Sequence, residues 1–141
     1  MFKEVIIESD AIELMQKDAI QAFPNECCGF MYGYEEGNSR KITIAVPVIN
    51  SKDGDQRRRF EISPIDYMRA ENYALSNNLN LLGVYHSHPL HPAIPSQHDL
   101  VQAMPFFSYL ILSVTDNKVE AIKSWQLDEG TEKFIEEKLN Y

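Results

Sequence analysis

Four histidines occur in this chain, and all of them lie between residues 86 and 98: His86, His88, His91 and His98. His86 and His88 stand one residue apart at the end of the apolar run Leu79 to Tyr85, and Ser96 and Asp99 follow across a proline-rich loop. Imidazoles and a carboxylate gathered in this way are the donor set that zinc prefers at catalytic sites. In an extended segment alternate side chains share a face, so His86 and His88 point one way and Ser87 the other. Two surface histidines at a strand end would give the same short pattern. Asp99 also has two readings, and they are compatible. Ser96-x-x-Asp99 ahead of an apolar stretch is a capping box, while a carboxylate in a first helical turn can also face a cation anchored at a neighbouring strand end. Two imidazoles and one carboxylate leave one tetrahedral position for a water, whose pKa zinc lowers to about 7. Such a centre would support metal-assisted hydrolysis, provided another group carries the water's proton to the leaving amine. Glu26 is a candidate for that group, although its local pattern does not separate it from the other acidic residues.

The elements that must position these residues follow from hydrophobic spacing. Asp10, with Glu13 three residues on, opens a helical pattern through Ile12, Met15, Ala19 and Ala22-Phe23 that Pro24 closes. A strand is expected from about Glu26 to Tyr34, a turn at Glu35-Glu36-Gly37-Asn38, and a hairpin partner over Lys41 to Val46. A polar loop then leads to a short strand around Phe60-Glu61-Ile62. Ser63-Pro64-Ile65-Asp66 reads as a helix start, with a capping hydroxyl, proline at the first helical position and an acid near the positive dipole end. That helix should end near Asn77-Asn78, and Leu79 to Tyr85 should be a buried strand ending at the histidines. A helix is expected from Ser96 to Pro105, strands over Phe106–Val114 and Lys118–Gln126, and a helical tail from Asp128 to Leu139. The sum is a mixed α/β, three-layer domain: a central sheet flanked by helices.

Composition narrows the class. At 141 residues with 44% hydrophobic and 24% charged residues, the chain is expected to fold as one globular domain over 1–141. The only cysteines, Cys27 and Cys28, are adjacent, which points to a reducing compartment and to core packing rather than a disulfide scaffold. Met1-Phe2-Lys3-Glu4-Val5 lacks the apolar core of a signal peptide, and no apolar run reaches membrane-spanning length. A cytoplasmic location is expected, with no membrane partner. A formal net charge of −8 repels phosphate backbones, so nucleic acid is not an expected partner. Arg57-Arg58-Arg59, the one basic run, reads as the solvated start of a strand rather than a partner-binding patch.

His86-Ser87-His88, then seven residues, Ser96, then two residues, and Asp99 match the JAMM (MPN+) metalloprotease signature at every position and spacing. Pro24-Asn25-Glu26-Cys27-Cys28-Gly29-Phe30-Met31-Tyr32-Gly33 resembles the segment carrying the catalytic glutamate in small stand-alone prokaryotic members. Phe60-Glu61-Ile62-Ser63-Pro64 and Gly83-Val84-Tyr85 are similar to the family too, so the resemblance covers about residues 10–115. It implies a cytidine-deaminase-like three-layer fold and one zinc per chain held by His86, His88 and Asp99. It further implies Glu26 as general acid/base and Ser96 as a donor to the oxyanion. The reaction implied is hydrolysis of a peptide or isopeptide bond after the Gly-Gly tail of a ubiquitin-like sulfur carrier. A chain this short has little room for the insertions that larger relatives use to select polyubiquitin linkages. His91 and His98 lie outside the signature and read as loop and helix-surface residues; His98 leaves the helix about 100° from Asp99. Two further readings are a non-catalytic MPN scaffold and a zinc peptidase or amidase on small peptides. The zinc deaminases also combine histidine and glutamate at zinc, but H-x-E and P-C-x-x-C are both absent here.

Overall fold

A computed structural model describes residues 4–141. The part of the N-terminal reading that falls on Met1, Phe2 and Lys3 lies outside the described residues. The chain runs β1 (Glu4–Ile7), α1 (Ser9–Ala22), β2 (Cys28–Glu36), β3 (Ser39–Val48), α2 (Pro64–Ser76), β4 (Asn80–Pro89), α3 (Gln97–Gln102), β5 (Ser108–Val114), β6 (Val119–Asp128) and β7 (Lys133–Asn140). The strands close on themselves in the order β1-β3-β2-β4-β5-β6-β7, with β1 pairing parallel to β7.

Side-chain alternation divides the core between two faces of this sheet. Ile12, Met15 and Ala19 of α1 pack with Met31, Ile42, Leu82, Tyr85, Leu110 and Leu112. Ala70 and Ala74 of α2 pack with Phe30, Tyr32, Val84 and Tyr109, together with Phe60 and Ile62. Helix α2 starts as its sequence suggests: Ser63 caps it by accepting the Asp66 N–H at 3.2 Å, and Pro64 follows.

β4 and β5 run parallel, in register from Gly83↔Ser108 to Pro89↔Val114. Parallel neighbours cannot be joined by a tight turn, so the chain must cross over from the end of one to the start of the other. Residues 90–107 make that crossover, and α3 lies within it. This connection returns Ser96 and Asp99 to the end of β4. Gly83 allows the two strands to meet, since a Cβ there would sit 1.9 Å from the Ser108 carbonyl oxygen.

Three features differ from the sequence pattern. Asp128 to Leu139 does not form a helix; β7 occupies Lys133–Asn140. Its charges suit a helix, but strand pairing to β6 and β1 fills two sheet edges, and tertiary pairing outweighs local propensity. Glu137 is buried there and accepts from the Ser108 and Ser124 hydroxyls at 3.2 and 2.9 Å, a partnership invisible in sequence. Phe60-Glu61-Ile62 forms no strand; Phe60 and Ile62 are buried by side-chain packing instead, and Ser51 N–H reaches the Glu61 carbonyl. β1 has only four residues, too few for alternation to be legible, although Val5 and Ile7 are buried.

Replacing Gly83 by alanine should separate β4 from β5. We expect a loss of about 3 kcal/mol in denaturant-induced unfolding; an unchanged midpoint would mean that the parallel pair tolerates a side chain there.

Candidate metal centre

Val84, His86 and His88 project from one face of β4, while Tyr85 and Ser87 project from the other, as the two core clusters require. The register slips beside Gly83, where Met31 pairs Gly83 but Tyr32 pairs Leu81. His86, His88 and Asp99 are all buried and come together. His86 Nε2 lies 3.1 Å from His88 Nε2, and Asp99 Oδ2 lies 3.2 Å from the first and 3.1 Å from the second.

Each donor is oriented by a different device. His88 Nδ1–H donates to the Pro92 carbonyl at 2.8 Å, which turns the lone pair of a neutral ring at Nε2 inward. His86 has no such partner, for its Nδ1 is buried without a hydrogen bond among the described residues. Packing holds it instead: the Phe60 ring stacks on it with centroids 4.5 Å apart. Asp99 is fixed through the helix cap. Ser96 Oγ accepts the Asp99 N–H at 3.1 Å, and Asp99 Oδ2 accepts the Ser96 N–H at 2.9 Å. Capping and facing the imidazoles thus engage the same carboxylate oxygen.

Electrostatics match a cation. Burial opposes ionisation of Asp99, but His86, His88 and the Ser96 N–H outweigh it and hold the carboxyl well below its ordinary range. Burial lowers the His86 pKa and favours the neutral ring, against the pull of Asp99. Neutral imidazole lone pairs and a carboxylate oxygen repel one another at these distances unless a proton or a cation lies among them. Bonds of 2.0–2.1 Å to a tetrahedral ion would separate the donors by roughly 3.3–3.4 Å, close to the separations found. These three residues could therefore hold a divalent ion and leave a further position open.

The centre opens into a cleft of about 550 Å³ lined by Glu26, Arg58, Arg59, His88, His91, Pro92, Ile94, Ser96, Gln97 and His98. Behind it, Phe60, Tyr67, Pro95, Tyr109, Ile111 and Phe134 build a largely apolar wall around His86 and Asp99. Glu26 precedes β2 rather than opening it, and only 5% of its surface is exposed. Its backbone is held by Gln56 and Asn50, while its carboxyl Oε1 has no hydrogen-bond partner among the described residues. Burial, with the charges of Asp99 and Asp55 adding to it, pushes the Glu26 carboxyl up to about 9. A bound cation would oppose that shift.

The remaining candidates separate cleanly. Cys27 and Cys28 are free, buried and divided between the two core clusters, and burial raises both thiol pKa values, so they pack rather than react. Ser87 donates no ligand; its Oγ accepts the Cys27 N–H at 2.8 Å and ties the Glu26 segment to β4. His91 is exposed and His98 Nε2 approaches the Phe60 carbonyl at 3.4 Å, so both line the cleft without joining the three donors. Pro92, Phe60 and the cleft-lining arginines are not legible as site residues. Pro92 acts through its carbonyl and Phe60 through a long-range stack; only the arginine run has a sequence signal.

A fold that brings two strand histidines and a helix-capping aspartate to one cleft is that of the JAB/MPN domain. The profile of the prokaryotic homologs of the JAB domain matches residues 8–128, and this chain belongs to that JAMM/MPN family. A desampylase of Pyrococcus furiosus is 30% identical over 128 residues, spanning 91% of this chain and 84% of the relative. A desampylase of Haloferax volcanii is 33% identical over 110 residues, spanning 77% of this chain and 76% of that protein. Among solved structures, the solution structure of a protein from Desulfitobacterium hafniense superposes with a TM-score of 0.83 at 31% identity, covering 96% of this chain and 90% of that one. One from Salinibacter ruber gives 0.74 at 33% identity, covering 95% and 89%.

The Glu26 environment has a consequence for stability without metal. A carboxyl whose folded pKa lies above its unfolded value binds its proton more tightly when folded, so stability falls as pH rises through 4.5 toward about 9. Glu26→Gln removes that loss. In metal-free protein the variant should match wild type near pH 4 and exceed it by a few kcal/mol near pH 8. Parallel stability curves across that window would show that Glu26 is not strained.

Proposed function

We propose that the chain is a single-domain, cytoplasmic zinc metallopeptidase that hydrolyses the peptide or isopeptide bond following the C-terminal tail of a ubiquitin-like protein. The convergence of three buried donor atoms within 3.2 Å, one of which, His88, lines the same cleft as Glu26, carries this reading. Membership of the family and the two desampylase relatives support it. His86, His88 and Asp99 would hold one zinc. Bound there, zinc supplies an acidified water, with a pKa of about 7, and polarises a carbonyl oxygen.

The protein's own groups would do the rest. Glu26, unpartnered at Oε1 and shielded from solvent, takes a proton from the attacking water and returns it to the leaving nitrogen as the C–N bond breaks. The Ser96 hydroxyl already accepts the Asp99 N–H, which leaves its own hydrogen free to donate to the developing oxyanion. The apolar wall behind His86 keeps bulk water from that side of the centre and strengthens each polar contact within it. An extended Gly-Gly tail suits the reaction because it has no side chains to obstruct its carbonyl. The closed order of strands would make it lie in the cleft rather than add as a strand at a sheet edge. β4 offers no such edge over Gly83–His86, where β2 and β5 pair on both sides.

Three measurements test this function. Metal analysis of protein purified from zinc-replete cells without chelator should find about one zinc per chain; metal-free protein would remove the centre. Asp99→Asn keeps an oxygen for the cap but removes the charge, so the variant should fold and bind zinc roughly 10-fold or more weakly. Retained wild-type affinity would leave Asp99 with capping alone. Glu26→Gln should retain zinc yet lower turnover of ubiquitin-like carriers extended past Gly-Gly by at least about 100-fold. Intact mass reads both product and residual substrate. Unchanged turnover would take Glu26 out of the proton path.

A further inference from the structure

The loop of residues 49–63 is joined to the proton-carrying side of the cleft. Glu26 N–H donates to the Gln56 carbonyl at 2.7 Å, and Asn50 Nδ2 donates to the carbonyls of both Glu26 and Arg59, at 3.2 and 3.1 Å. Gln56 Nε2 pins the same loop by donating to the Asn50 and Lys52 carbonyls. Arg58 and Arg59 are therefore carried by a braced segment, and they line the cleft together with Glu26 and His88. Both are exposed, and neither guanidinium has a hydrogen-bond or ion-pair partner among the described residues. Lys52, on the same loop, is instead engaged by Glu61 at 3.4 Å. Two adjacent guanidiniums at the mouth of the cleft, with Asp55 beside them in a neighbouring groove, give this wall a positive face that suits an anionic ligand.

The proposed chemistry fixes which side they serve. A leaving nitrogen must lie against the group that protonates it, so the leaving group occupies the Glu26 side, under this loop. A cleft of about 550 Å³ admits a short peptide segment. The anion that every short leaving segment carries, whatever its side chains, is its terminal α-carboxylate. Each residue spans at most about 3.6 Å, so the carboxylate ending a one- or two-residue leaving group stays within a cleft of this size. A lysine side chain leaving from the surface of a folded protein brings no free carboxylate to this place.

We propose that Arg58 and Arg59 form an anion subsite on the leaving-group side, binding a free α-carboxylate one or two residues past the scissile bond. This inference rests on the hydrolytic reading above. It makes the arginines specificity residues that favour trimming of short C-terminal extensions over release of lysine-linked proteins.

The test compares two substrates that differ by one charge. A ubiquitin-like carrier extended past Gly-Gly by alanine is offered to the zinc-loaded protein, beside the same carrier ending in alaninamide. The acid should be preferred in kcat/KM by about 10-fold or more. In the R58A/R59A double variant the ratio should fall toward one, with R58K/R59K retaining part of it and R58E/R59E favouring the amide. Equal rates for acid and amide in wild type would overturn the subsite while leaving the hydrolytic reading intact. So would a preference that survives R58A/R59A, since it would then belong to the metal centre.

A second arm uses acetyl-Gly-Gly-Ala and its amide, titrated calorimetrically into zinc-loaded E26Q and into E26Q carrying R58A/R59A. Tighter binding of the acid, lost with the arginines, supports the subsite even if no carrier is cleaved, in which case the reaction alone is wrong. Indistinguishable binding of acid and amide overturns the subsite whether or not carriers are cleaved.

Discussion

Two imidazole nitrogens and a carboxylate oxygen held within 3.2 Å of one another, out of water, form an arrangement that needs positive charge. Their Nε2 and Oδ2 atoms all point inward. His88 is turned by the Pro92 carbonyl, His86 by the Phe60 ring, and Asp99 by the cap of α3. None of the three can relax without giving up a second interaction. The surrounding chain thus orients all three donors, and the cost of that crowding is carried by the folding of the rest of the domain.

The rest of the structure supplies that support through a parallel strand pair. Because β4 and β5 run the same way, the chain must cross from one end of the sheet to the other, and the crossover delivers α3 to the end of β4. Three bonds, two of them long-range, then fasten the crossover. Trp125 Nε1–H donates to the Ala93 carbonyl at 3.0 Å, Gln102 Nε2 donates to the Phe60 carbonyl at 3.1 Å, and Met104 N–H donates to the Tyr109 hydroxyl at 2.6 Å. On the opposite face of β4, Ser87 Oγ and the Tyr85 hydroxyl, which donates to Asp18 at 2.7 Å, tie the histidine strand to the Glu26 segment and to α1. Ligand strand, acid segment and capping helix are therefore coupled through few bonds over short paths.

Burial sets the chemistry of the cleft. The same desolvation that raises Glu26 acts on Asp99, yet the two carboxyls are driven apart, because Asp99 faces imidazoles and a backbone N–H while Glu26 faces other negative charge. One carboxyl stays ionised and the other holds its proton readily. A cation bound at Asp99 would bring the Glu26 carboxyl back down, so the proton affinity of Glu26 would depend on whether the centre is filled. The loop of residues 49–63 adds cationic character at the rim, with Arg58 and Arg59 on the same wall as Glu26.

The one-residue spacing of His86 and His88 at the end of an apolar run already implied a shared face, and Ser96-x-x-Asp99 already implied a capped helix start. Both are local facts, governed by strand alternation and by the first helical turn, so they could be read from adjacent residues. The family signature linked them and selected Glu26, which local pattern did not. Tertiary structure decided the rest. A helix-like charge pattern became strand β7, because two sheet edges needed a partner, and Phe60 became a ring stacked on His86 rather than part of a strand. Arg58 and Arg59, read locally as solvated, are exposed as that reading expects and also line the cleft. Sequence determined which side chains share a face and where helices can begin, since those depend on neighbours a few residues away. Which faces meet depended on pairing across tens of residues, where backbone hydrogen bonding and burial outweigh local preference.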